Sequence, residues 1–146
     1  MDGPTLIESG RWTLFSGRKG QHRAERWLNL ETQLSTLVAK HTPDVIAYER
    51  VRRHVGTTAA HVYGGLLAQL ELLDLEWTAD NASIALVPVE ISTWRKAAIG
   101  RGDACKDEVE RWARKKYRFN PKSQDEAEAV AIAEAVRRIR TGEYVP

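Results

Sequence analysis

The run Asp44-Val45-Ile46-Ala47-Tyr48-Glu49, entered from Pro43, decides how this chain folds. It is β-branched and aromatic and apolar at both alternating sets of positions, the pattern of a parallel strand buried on both faces. Glu49 closes it. A carboxylate at the end of a buried strand loses solvation unless a metal ion, a cation or water at the sheet edge compensates. The carboxyl end of such a strand is also where open α/β sheets build ligand chemistry. The plainer reading is a solvated glutamate paired with Arg50 or Arg52. The segment alone leaves both readings open.

The flanking sequence supplies the layers around this strand. Before it, Trp27, Leu30, Leu34, Leu37 and Val38 recur at helical spacing, predicting an amphipathic helix from about His22 to Lys40 that stops ahead of Pro43. Earlier still, Thr5 to Phe15 mixes β-branched, aromatic and polar residues around Gly10 and reads as an extended or hairpin segment. After Glu49 comes a polar, basic loop, Arg52 to Thr58, then a helix from about Thr58 to Trp77 with Leu66, Leu67, Leu70 and Leu73 on its apolar face. Gly64 and Gly65 inside that helix each cost roughly 1 kcal/mol relative to alanine, which close packing of another backbone would explain. Ile84 to Val89 predicts a second strand. A short helix follows from Ser92-Thr93-Trp94 to Gly100, then Gly102-Asp103 leads into a basic amphipathic helix to about Arg118, and a last helix runs from Ser123 to about Arg140. This order predicts a layered α/β domain.

At 146 residues the chain has the size of one domain, 1–146, with a real core. Its net charge of +2 argues for no partner by itself, but the basic residues are unevenly placed. Arg50, Arg52, Arg53 and His54 form one cluster, Arg95, Lys96, Arg101 and Lys106 another, and Arg111, Arg114, Lys115, Lys116 and Arg118 a third. A local basic face is therefore compatible with the near-neutral sum. A single cysteine, Cys105, excludes an intramolecular disulfide and a cysteine-based zinc site. With no membrane-spanning run and no signal pattern, the expectation is a soluble protein of a reducing compartment, the cytoplasm.

The last helix holds the other acids that need explaining. Ser123-Gln124-Asp125-Glu126 matches a capping box, with Ser123 as N-cap and Glu126 three residues on, and acids in a first turn are favoured by the helix dipole. Asp125 and Glu126 thus have a structural explanation. Glu128 does not, since it lies among Ala127, Ala129, Val130, Ala131, Ile132 and Ala133, a stretch apolar on nearly every side. Asp125 and Glu128 are three apart and share a face. Two carboxylates converging at a buried helix end repel unless a divalent cation holds them, and magnesium or manganese suits an all-oxygen cluster.

A strand-end glutamate, a lysine-bearing helix, and a C-terminal helix reading Asp-x-x-Glu before Ala-Val-Ala-Ile-Ala together resemble the RuvC family of Holliday junction resolvases, within the ribonuclease H-like nucleases. The similarity runs from about Ile7 to Arg138. Pro43 to Glu49 looks like the family's second acidic strand and Ser123 to Ala133 like its terminal acidic helix. Trp94-Arg95-Lys96, Gly100-Arg101-Gly102 and Lys106 follow the family segment between them without a gap. The resemblance implies a ribonuclease H-like α/β fold with a mixed sheet flanked by helices, and a metal-dependent endonuclease that cuts branched DNA in recombination and repair. It implies Glu49, Asp125 and Glu128 as ligands of one or two Mg²⁺ or Mn²⁺ ions, with Lys106 completing the catalytic set near the scissile phosphate. Arg95 matches a further basic position. Arg52, Arg53, Lys96 and Arg101 join it as phosphate contacts. A homodimer acting on branched or four-way DNA is the implied assembly.

Two departures qualify the resemblance. The family opens with a strand ending in a first catalytic aspartate, and nothing in this chain supplies it. Thr5 to Phe15 looks like the family's third strand and Asp2 has no strand before it, so the sequence reads as an N-terminally incomplete domain. In addition, the loop Val51-Arg52-Arg53-His54-Val55 lacks the aromatic residue with which resolvases engage the junction centre. Two other readings stay open: a ribonuclease H-like nuclease for other DNA or RNA, and a catalytically impaired nucleic-acid-binding remnant. Trp94 and Trp112 read as core, and His54 as a solvated loop histidine.

Overall fold

The computed structural model describes residues 3–146; Asp2 lies outside them. The elements run α1 (Glu25–His41), β1 (Val45–Arg50), α2 (Thr57–Ala79), β2 (Ala85–Glu90), α3 (Ile91–Ile99), α4 (Lys106–Tyr117) and α5 (Gln124–Arg140). Each predicted helix and each of the two strands expected after residue 40 is present. β1 and β2 pair as a parallel two-stranded sheet, with α2 as the crossover. Pro88 has no N–H to donate, and β2 tolerates it because a strand with one partner leaves alternate donors unused. Among the described residues no helix is long and apolar enough to cross a membrane.

Of the extended or hairpin expectation for Thr5–Phe15, the hairpin is not formed. That segment has no regular secondary structure. A strand exists only by pairing, and this segment is held instead by the Ser9 hydroxyl on Glu126.

The chain divides into two compact units. One comprises Trp12–Ile46 and Arg52–Leu86. Here α1 packs on α2, with Leu30, Leu73 and Trp77 buried. α1 ends at Thr42, whose left-handed backbone (φ 43°) turns the chain toward Pro43 while its N–H bonds the Val38 carbonyl. Gly65 is explained by a side chain and not, as the sequence suggested, by a neighbouring backbone: a Cβ there would collide with the Trp27 ring. Gly64 faces open space.

The other unit comprises the segment up to Arg11, Ala47–Val51 and Val87–Pro146. Its core is α5 laid against α3 and α4. Trp94, Ala97, Val109, Ala113, Ala127, Ala131 and Ala135 are all fully buried, so helices faced with alanine approach closely around one large indole. The Arg138 guanidinium donates to the Ala97 carbonyl at 2.6 Å, tying α5 to α3. Ala129 and Ala133 face outward, so α5 is less enclosed than its composition suggests. On its far side, Glu134 is buried and held by Lys116 (2.9 Å), Arg137 (2.8 Å) and the Tyr117 hydroxyl (3.1 Å).

Candidate metal-dependent active site

Four elements of this second unit meet around Glu128. β1 carries Glu49 at its penultimate position, half-buried as an acid at a strand end must be. β2 runs directly into α3 through Glu90, which is extended (φ −71°, ψ 147°) and caps the helix. That junction puts Trp94 and Arg95 one turn into α3. Gly100 then ends α3 with φ 97°, a conformation natural to glycine, its N–H closing on the Lys96 carbonyl at 3.0 Å.

Trp94 is 0 % exposed, and its indole N–H donates to Glu49 Oε2 at 2.9 Å. The sequence identified Trp94 only as core. A buried indole still needs an acceptor, and that requirement was the available signal. Arg50, one of the two cations the plainer reading offered Glu49, lies 4.0 Å from Glu90.

The start of α5 sets the other two acids. Ser123 Oγ accepts from the Glu126 N–H at 3.2 Å, as the capping box predicts. The reciprocal half differs. The Glu126 carboxylate accepts from the Lys122 N–H (2.6 Å) and the Ser9 hydroxyl (2.7 Å), so Glu126 anchors the N-terminal segment and is 4 % exposed. The Ser9 hydroxyl, followed by the Lys122 N–H, holds its carboxyl below the usual range. From this start Asp125 is exposed while Glu128, one turn on, is largely covered.

Glu128 registers its neighbours electrostatically. Burial pushes its carboxyl above the ordinary range, and the charges of Glu49 and Asp125 push the same way, while Lys106 and Arg95 pull it back. Like charges near a desolvated carboxylate raise its proton affinity because the ionised form is the one penalised. Arg95 Nη2 lies 3.6 Å from Glu128 Oε1, an ion pair longer than a hydrogen bond. Its guanidinium carbon sits 5.1 Å from the Trp94 ring centroid. Its Nε is buried, and no acceptor among the described residues reaches it.

The expected acids Glu49, Asp125 and Glu128 and the expected bases Lys106 and Arg95 therefore share one electrostatic neighbourhood. Among the described residues, however, no three His, Cys, Asp or Glu side chains stand ready to hold a metal ion. An oxygen of Glu49 is engaged by Trp94, and Glu128 faces Arg95. The donor set is all carboxylate, which suits magnesium or manganese. The mutual repulsion felt at Glu128 is what a divalent cation would relieve. The donor types suit the ion, while the described carboxylates do not by themselves stand grouped around one.

The remaining basic positions differ in availability. Lys96 and Lys106 are exposed. Arg101 is exposed but pairs with Asp103 (3.2 Å) and Glu108 (3.0 Å). Its hydrogen bond to Asp103 raises its affinity for its proton further. In the other unit, Arg52 and Arg53 are exposed in the loop before α2. His54 is not simply solvated, since its ring packs at 4.9 Å on Tyr63 of α2. Trp112 is only partly covered and meets Tyr117 edge-on at 6.0 Å.

No protein-family model matches the chain, and no curated protein sequence matches it. Solved structures do. The structure of Thermus thermophilus RuvC in complex with Holliday junction substrate superposes with a TM-score of 0.71 at 20% identity, covering 86% of this chain and 74% of that one. A second Thermus thermophilus RuvC structure gives 0.67 at 20% identity, covering 88% and 76%. The chain therefore has the fold of the RuvC Holliday junction resolvase structures, a ribonuclease H-like α/β fold.

Proposed function

We propose that this chain is a divalent-metal-dependent endonuclease for branched DNA, with Glu49, Asp125 and Glu128 as metal ligands. The observation that carries the reading is the clustering of these acids with Lys106 and Arg95 around Glu128, on a fold shared with a resolvase whose structure includes a Holliday junction. An acid raised by burial and by two like charges, flanked by two cations, is the kind of environment in which functional sites tune a carboxylate.

Metal ions held by the three carboxylates would supply a water-derived nucleophile and stabilise the leaving 3′ oxygen. The protein's own groups do the rest. Trp94 fixes the rotamer of Glu49 through its indole N–H. Lys106, at the first position of α4, offsets charge that builds on the phosphate oxygens. Arg52, Arg53, Arg95, Lys96 and Arg101 hold the DNA backbone, which makes affinity fall steeply with salt. Two copies of the chain would place two such centres on a symmetric junction.

Glu49→Gln tests the assignment because it removes one ligand charge and retains size. Mg²⁺-dependent nicking of a four-way junction should be lost, while junction affinity measured in EDTA stays within about twofold, since phosphate binding rests on Arg and Lys. Nicking by Glu49→Gln at the wild-type rate would remove the acidic cluster from the reaction.

A further inference from the structure

We infer that Arg95 is a built-in countercation that occupies the place of a metal charge at Glu128 and yields it when a phosphate arrives. The inference rests on the acidic centre proposed above and adds to it a coupling between metal and DNA.

Three features of the Arg95 side chain point this way. Its guanidinium stands 3.6 Å from Glu128 Oε1, on a part-buried carboxylate that also feels the charges of Glu49 and Asp125. Its placement is a compromise: the contact is too long for the bidentate geometry a guanidinium makes with a settled carboxylate partner. The buried Nε finds no acceptor among the described residues. An unpaired buried donor penalises the pose that holds it, so the arrangement as it stands is shallow. Finally, Arg95 is not sealed in. Its side chain retains 19% exposure and Glu128 retains 17%, so solvent reaches both partners of the pair.

A guanidinium and a divalent cation repel each other and compete for the charge of one carboxylate, so each weakens the other at Glu128. The two non-bridging oxygens of a phosphodiester offer Arg95 a better partner, with two parallel hydrogen bonds and a use for the orphaned Nε. DNA that draws Arg95 off Glu128 thereby raises metal affinity, and metal at Glu128 releases Arg95 to DNA by the same factor. The centre is thus weakly loaded without substrate. This differs from a simple phosphate-contact role, which predicts no change in metal affinity when Arg95 is altered and DNA is absent.

Mn²⁺ binding to the full chain without DNA, followed by electron paramagnetic resonance of the free ion, separates the two. Arg95→Gln should bind Mn²⁺ more tightly than wild type, by roughly fivefold, the low end for such couplings. Arg95→Lys should fall between them, because a compact ammonium keeps the charge without the fork. Adding a four-way junction at 4 °C, confirmed intact on a gel, should tighten Mn²⁺ binding in wild type and do so less in Arg95→Gln. Circular dichroism melts establish that each variant is folded. Equal or weaker Mn²⁺ binding by folded Arg95→Gln and Arg95→Lys overturns the inference and leaves the acidic centre standing. Absence of Mn²⁺ binding in wild type and both variants overturns the acidic centre, and this inference with it.

Discussion

Removing the indole N–H of Trp94 should cost more than its lost volume, and the excess should vanish when Glu49 is absent. Trp94→Phe deletes a donor lying 2.9 Å from Glu49 Oε2 in a side chain that is 0 % exposed. A hydrogen bond to an ionised group contributes about 1.5–3 kcal/mol. Glu49 is half-buried, and water competes for it, so the lower end, about 1.5 kcal/mol, applies here. The vacated pyrrole volume adds about 1 kcal/mol, because alanine-faced helices can close only partly around it. The expected loss is about 2.5 kcal/mol, read in urea as a fall in midpoint of roughly 1–2 M with unchanged slope. In a Glu49→Ala background the same substitution should lose only the volume part, giving a coupling energy of about 1.5 kcal/mol in the double-mutant cycle. A coupling below about 0.5 kcal/mol would show that the indole and the carboxylate do not act on each other.

Two further outcomes concern the other side of α5. Glu134→Gln should lower stability by about 2 kcal/mol, less than for a wholly buried pair because Lys116 and Arg137 are each about one-third exposed; thermal melts check it. Burial, reinforced by the Glu134 charge, pushes the Tyr117 hydroxyl up from 10.0 to about 12. A group with a raised folded value stabilises below its unfolded value, so this contribution should be complete below pH 10 and lost as pH rises through 12. Urea midpoints taken across that window should fall in wild type and stay flatter in Tyr117→Phe.

The boundaries of β1, β2 and the five helices were legible in the sequence to within about three residues because their signals are local. Pro43 and Thr42 end α1, Gly100 ends α3, and Ser123 starts α5 through its own hydroxyl. The hairpin reading of Thr5–Phe15 failed for the complementary reason. Strand character there is only a propensity, and pairing decides it. The acids of the site could be named from their positions at a strand end and on one helix face. What engages them was not legible. Trp94 and Glu49 are 45 residues apart, and Arg95 meets Glu128 through the packing of α3 on α5. Glu126 was read as one half of a capping box, yet the Ser9 hydroxyl, 117 residues away, shares its carboxylate. Gly65 shows the same limit, since only the folded position of Trp27 explains it.

The central claim is that the carboxylates around Glu128 form a metal-dependent centre for cutting branched DNA. Its most direct measurement is the fate of a four-way junction, end-labelled on each strand, with wild type and Asp125→Asn in the presence of Mg²⁺. Asp125 is exposed, so this change removes one acid without disturbing the core. The account predicts paired nicks in wild type leaving 3′-hydroxyl ends, suppressed by EDTA, and at least a hundredfold slower nicking by Asp125→Asn, about 2.7 kcal/mol in the barrier. Equal nicking by the two proteins, or an intact junction with folded wild type, would contradict it.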